Sequence, residues 1–188
     1  MADRLSRAQV LESFTRNGTD KGKYADAYSV WFSRISPKRV LEIGVFNGGG
    51  MRALKEFFPD AEIYGVEIEE VQIPNVFRGS QDDPDFLTGI NEIAGGFDLI
   101  IDDGSHLWAH QRITFETMFP LLRPGGMFVI EDLETSYWKA KDWSGDSVTP
   151  FTEDVKGLVD VVNKEVTNKQ QIAAVHLYPR LCIIEKVL

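Results

Sequence analysis

Two acidic pairs end apolar runs in this chain: Asp102-Asp103 in FDLIIDDGSH and Glu131-Asp132 in MFVIEDLETSYW. If the runs are neighbouring strands, four carboxylates crowd one edge, where like charges repel unless protons or a cation intervene. A hard divalent cation answers that cost, although acids at strand ends also occur in purely structural roles. Oxygen ligands, with few histidines and no cysteine pair, favour Mg²⁺, with Mn²⁺ or Ca²⁺ as alternatives, over Zn²⁺. His106 follows Asp103 by three residues, and an imidazole there can take a proton from a hydroxyl held by such a cation. His110, four residues on, is expected to face the same side and reads as a structural histidine.

A second set of residues lies at the ends of earlier runs. Glu42-Ile43-Gly44-Val45-Phe46-Asn47-Gly48-Gly49-Gly50 closes the first run. Its glycines let a ligand approach the backbone, and the following helix N-terminus favours a carboxylate such as that of the methionine part of S-adenosylmethionine. A tight strand-to-helix turn alone would also use glycines. Glu67 ends the second run, 23 residues after Gly44, close to the spacing at which an acid accepts hydrogen bonds from ribose hydroxyls. The third run ends in Gly79-Ser80-Gln81-Asp82-Asp83, where Ser80 and Gln81 can donate to and accept from an adenine edge.

Positioning these residues requires a parallel sheet. Apolar runs at Arg39–Ile43, Glu62–Glu67, Val76–Arg78, Phe97–Asp102 and Met127–Glu131 alternate with amphipathic stretches, the mark of βα units. Gly49–Phe57 reads as the first helix after a strand, and Ser105 as the N-cap of the helix carrying Trp108, Phe115 and Met118. A helix near Glu153–Lys164 precedes two runs, Gln171–Leu177 and Leu181–Val187, joined by so short a turn that they must be antiparallel. The expected fold class is therefore α/β, a Rossmann-like class I methyltransferase sheet, mainly parallel with a C-terminal antiparallel hairpin. Ligands bind such sheets outside the carboxyl ends of the strands, where all the residues above fall.

The 188 residues fit a single domain with its own core, the N-terminal 17 residues forming a helix. Twenty-nine acids against twenty Lys plus Arg give a net charge of −9, which repels nucleic acid and anionic membranes. The N-terminus, MADRLSRAQVLESF, lacks the apolar core of a signal peptide, and no apolar run approaches a membrane span, so a cytoplasmic location is expected. Cys182, without a partner, reads as a buried core thiol. Two other readings compete. Gly48-x-Gly50-x-x-Ala53 with Glu67 and Tyr137-x-x-x-Lys141 mimics an NAD(P)-dependent short-chain oxidoreductase, but Phe46 stands where that motif needs a glycine. A catalytically silent cofactor-binding relative is the other.

Asp20-Lys21-Gly22, LEIGVFNGGG, GVEIEE, GSQDDPDFL, FDLIIDDGSH, LLRPGGMFVIEDLETSYW and the closing IIEK run together resemble the metal-dependent sugar O-methyltransferases of the mycinamicin and macrocin type, and the related rhamnosyl methyltransferase and cephalosporin hydroxylase-like proteins. The resemblance covers residues 18 to 188, and the DDGSH and EDLETSY blocks are its specific parts. It implies S-adenosylmethionine as cofactor and magnesium held by Asp103, Glu131 and Asp132, with His106 as general base beside Asp103. It implies a cofactor site containing Glu42, Gly44, Gly48, Glu67, Ser80, Gln81 and Asp102, with Thr19, Asp20 and Lys21 in a segment that closes over it. The acceptor it implies is a hydroxyl on a sugar moiety of a natural product or glycan; independently of it, Tyr137 and Trp138, in the aromatic stretch after the fifth run, read as candidate substrate contacts in a lid over an acceptor, or else as packed aromatics of an ordinary surface loop. Members often form multimers, which makes a homo-oligomer an expectation of the same kind.

Overall fold

Strand ends decide what this chain can do, and the register of its sheet brings them level. The computed structural model describes residues 5–163 and 171–188. The chain enters through α1 (Arg7–Asn17), where Ser6 accepts from the Gln9 amide and the Gln9 side chain accepts from the Ser6 amide, a reciprocal cap. A 3₁₀ turn over Lys21–Tyr24 leads into α2 (Ala25–Phe32). Then β1 (Arg39–Ile43), α3 (Gly49–Phe57), β2 (Glu62–Glu67), β3 (Val76–Arg78), α4 (Pro84–Ala94), β4 (Leu99–Asp102), α5 (Trp108–Leu121) and β5 (Met127–Ile130) follow. A 3₁₀ turn over Leu133–Tyr137, α6 (Ala140–Trp143) and α7 (Phe151–Asn163) precede the hairpin β6 (Ile172–Tyr178) and β7 (Leu181–Lys186).

The sheet has seven strands in the order β3-β2-β1-β4-β5-β7-β6, parallel through β5 and antiparallel at β7 and β6. The order reverses between β1 and β4, which opens the crevice where ligands bind in doubly wound sheets. Ile43 pairs with both Val66 and Asp102, and Asp102 with Ile130. Gly44, Glu67, Asp103 and Glu131 therefore leave the sheet side by side.

The central strands are buried on both faces, and successive side chains alternate between two cores. Val40, Leu99, Ile101, Met127 and Val129 pack towards α1, α2 and α3, whereas Leu41, Ile43, Ile100, Phe128 and Ile130 pack towards α4, α5 and α7. Each fully buried Ile or Phe contributes about 1.5–3 kcal/mol relative to exposure, so the two cores hold the strand ends rigidly. Cys182 lies inside the second core, where burial pushes its thiol up to about 12. No helix among the described residues is long and apolar enough to cross a membrane.

Boundaries differ from the sequence reading by one or two residues. β4 begins at Leu99 rather than Phe97, β5 stops at Ile130, and β6 runs on to Tyr178. The last expected residue of the helix before the hairpin, Lys164, lies outside the described residues. Ser105 is not the cap of α5: Leu107 takes that position without a side-chain bond. The Ser105 hydroxyl is instead engaged with His110 Nδ1 at 2.9 Å, across a loop in which His106 has a φ of 57°.

Candidate active site

The glycine loop is shaped first by the protein itself. Gly44, at a φ of 86°, lies so close to the carbonyl of Asp103 that a Cβ would collide with it, and a Cβ on Gly50 would collide with the Glu42 carboxylate. Gly48, at a φ of 77°, is the N-cap of α3. These close approaches leave a cavity of about 580 Å³ above the strand ends. Glu42, Gly44, Glu67, Ser80, Gln81 and Asp103 line it, as do Thr19, Asp20, Lys21, His106 and Asp132. Gly48, Asp102 and Glu131 do not. The Glu67 carboxylate accepts from the amides of Phe46 at 2.7 Å and Ile68 at 2.8 Å, which fixes it at the rim. Glu42 is buried, one of its oxygens has no partner, and burial pushes its carboxyl up to about 7.

At the other end of the cavity Asp103, His106 and Asp132 offer ligand atoms that all lie within 4.8 Å of one another. His106 Nε2 is 3.4 Å from Asp132 Oδ2, and the Thr135 hydroxyl donates to the His106 carbonyl at 2.9 Å. Burial pushes the Asp132 carboxyl up, but Lys23, Tyr24 and His106 outweigh it and hold it below the usual range. Asp132 itself stands at a φ of 52°, a left-handed conformation that turns its carboxylate out of the sheet. Glu131 turns inward. Its carboxylate accepts from the Tyr28 hydroxyl and from Lys21 Nζ, and its second oxygen is buried without a partner. Burial and Asp103 push its carboxyl well above the usual range.

Lys21 was expected over the cofactor, and it does line the cavity; its ammonium, however, is buried among acids. It pairs with Asp103, with Glu131 at 3.0 Å and with Glu42 at 3.3 Å. Burial alone would lower its pKa, yet these three carboxylates raise it well above the ordinary value. Lys23 Nζ and the Tyr24 hydroxyl reach Asp132 at 2.7 and 2.6 Å. Sequence reading missed Lys23, Tyr24 and Tyr28. A signal existed: Lys21, Tyr24 and Tyr28 recur at three and four residues, one face of a helical segment.

His110 lines the same cavity as His106 but meets a different acid. Its Nε2 lies 3.3 Å from Asp82, on the turn after β3, while His106 faces Asp132. Tyr137 lies at a second cavity of about 240 Å³, with Glu134, Tyr178 and Arg180. Trp138 is outside that cavity and packs edge-on against Trp143, ring centroids 4.7 Å apart. Neither Tyr137 nor Lys141 lines the glycine-loop cavity, so the pair that would mark a short-chain oxidoreductase is not assembled over it.

No family model matches the chain. It is 36% identical over 178 residues to the mycinamicin VI 2''-O-methyltransferase of Micromonospora griseorubida, covering 79% of this chain and 43% of that protein. It is 34% identical over 199 residues to the 8-demethyl-8-alpha-L-rhamnosyl tetracenomycin-C 2'-O-methyltransferase of Streptomyces olivaceus, covering 91% and 53%. Among solved structures, a methyltransferase from the mycinamycin biosynthetic pathway, in complex with Mg, SAH and mycinamycin VI, superposes with a TM-score of 0.81 at 31% identity, over 95% of this chain and 53% of that one. The chain spans about half the length of these relatives. Over that shared length it is a homologue of the sugar O-methyltransferases of macrolide and tetracenomycin pathways, built on the class I methyltransferase fold.

Proposed function

We propose that this chain is a cytoplasmic, Mg²⁺-dependent S-adenosylmethionine O-methyltransferase, acting on a hydroxyl of a small molecule, in particular a sugar moiety of a natural product or glycan. One observation carries the reading: a cavity running from a glycine loop and Glu67 at one end to Asp103, His106 and Asp132 at the other. The homologues are named for methylation of sugar hydroxyls, and the similar solved structure holds Mg and SAH.

The residues present fit both groups. For a cation, the donors are carboxylate oxygens and one imidazole, and Glu131 keeps a buried oxygen without a partner. Asp103 and Asp132 would hold it from the cavity, and Glu131 would join them by giving up its pairing with Lys21. When bound, a divalent cation lowers the pKa of an acceptor hydroxyl and fixes its oxygen. His106 accepts the hydroxyl proton at Nε2, and the Asp132 carboxylate beside it stabilises the imidazolium formed. Thr135 holds the loop carrying that imidazole. For the cofactor, Glu67 stands at the rim to receive ribose hydroxyls, and the N-terminus of α3 favours the methionine carboxylate. Thr19, Asp20 and Lys21 border the same space, and Ser80 stands beside the adenine end. Tyr137, at the end of the 3₁₀ turn that follows Asp132, borders a cleft suited to an acceptor ring, and Trp138 follows it in the chain as a further acceptor contact.

Isothermal titration of S-adenosylmethionine, and separately of NAD⁺, into metal-free and Mg²⁺-loaded protein tests the reading. Micromolar binding of S-adenosylmethionine without NAD⁺ binding is the expected result. NAD⁺ binding alone would overturn it, and cofactor binding without turnover on any hydroxyl acceptor would leave a silent relative.

A further inference from the structure

Gln81 stands on the turn after β3, where a side-chain amide is well placed to meet an adenine. Its own bonds point elsewhere. The residue is buried, and its NH₂ donates to Asp102 Oδ1 and to Thr114 Oγ1, each at 3.0 Å. Its amide oxygen accepts from the backbone N–H of Ser105 at 2.6 Å. Thr114 in turn donates to the Gln81 carbonyl at 3.2 Å. An amide side chain has two N–H donors, and both are spent inside the protein. Nothing remains on this side chain to donate to a base edge.

The partners in these bonds all belong to one loop and its support. Asp102 Oδ1 also accepts from the Gly104 amide at 3.3 Å. A Cβ at residue 104 would collide with the Gln81 amide oxygen, so glycine at 104 and glutamine at 81 are shaped for each other. Asp103 precedes the clamped stretch and His106 follows it, the latter at a φ of 57° that a histidine keeps only when its surroundings over-determine it. Residues that orient metal ligands without touching the ion typically alter metal affinity by about 10–100-fold when lost.

We propose that Gln81 is a positioning residue for the Asp103–His106 loop, clamping it to the turn after β3, and not a reader of the adenine edge. The inference rests on the reading of Asp103 and Asp132 as metal ligands. Gln81→Leu nearly keeps the volume and removes the three side-chain bonds of the clamp, leaving only the one from Thr114 to the residue 81 backbone carbonyl. Thr114→Val, at a residue that does not itself line the cavity, removes the hydroxyl that both receives from and returns to Gln81.

The test measures Mg²⁺ binding, and S-adenosylhomocysteine binding to metal-free protein, by isothermal titration for wild type and both variants. The expected result is a loss of Mg²⁺ affinity of about tenfold or more in Gln81→Leu, a smaller loss in Thr114→Val, and little change for S-adenosylhomocysteine in either. A drop in S-adenosylhomocysteine affinity with Mg²⁺ binding intact would return Gln81 to the adenine edge and overturn the clamp. Equal losses of both ligands, or no change in either, would overturn it too. If Gln81→Leu does not fold, Thr114→Val decides on the same criteria. Wild-type protein that binds no Mg²⁺ would overturn the metal reading and the clamp together, whereas intact Mg²⁺ binding in the variants overturns the clamp alone.

Discussion

His106 has one partner for its Nε2, Asp132 at 3.4 Å, and a buried Nδ1 with none. If Nε2 takes the acceptor proton, His106→Ala should lower kcat by about 10²–10⁴-fold while S-adenosylmethionine still binds, readable by turnover beside titration. Wild-type kcat in that variant would remove the base assignment. Glu42 yields a pH prediction. Burial raises its folded-state carboxyl to about 7, from 4.5, so the unfolded state gives up its proton first as pH rises. The stability this group confers is whole below pH 4.5 and is lost as pH rises through 7. Glu42→Gln removes that loss. Thermal melts of ligand-free protein should show the variant more stable than wild type above pH 7, by up to about 3 kcal/mol, and equal to it near pH 4.5.

The 3₁₀ turn Lys21–Tyr24 and the helix after it act as a strap of counter-charges over the acidic strand ends. Lys21 is the sole cation paired with three carboxylates, buried Glu42 and Glu131 and half-buried Asp103, in this cluster of described residues. Removing one partner of a buried ion pair leaves charge uncompensated and costs about 3–5 kcal/mol. Lys21→Met should therefore lower the melting temperature at pH 8, and saturating Mg²⁺ should restore part of it, because a ligand that binds only the folded chain stabilises it. A melt insensitive to Mg²⁺ in that variant would separate the strap from the metal site. The strap was legible only in part. Asp20-Lys21-Gly22 stood out in the chain, but the contacts of Lys21 lie 82 and 110 residues away, a separation that no local pattern encodes.

At the scale of the whole molecule, two cores grip one sheet, and every functional group stands at its carboxyl edge. Binding at that edge should therefore be felt globally. S-adenosylmethionine at 100 times its Kd should stabilise the fold by about 2.7 kcal/mol, seen as a raised melting temperature in the presence of Mg²⁺. No shift at saturating cofactor would contradict binding to the folded chain.

The alternation of Val- and Ile-rich runs with amphipathic stretches determined the α/β class and the closing hairpin, because periodicity and turn length are local properties that survive without neighbours. It also marked Asp103, His106 and Asp132, since acids at strand ends fall on one edge of any parallel sheet. Tertiary structure decided how those groups are used. Glu131 and Asp132 are adjacent in sequence, yet one faces Lys21 and Tyr28 and the other faces the cavity, because Asp132 adopts a left-handed backbone conformation. In sequence Gln81 read as a donor and acceptor for an adenine edge and Ser105 as a helix N-cap. Each is instead bonded across a loop that only the pairing of β1 with β4 brings into place, and a one-dimensional pattern contains no information about such distances.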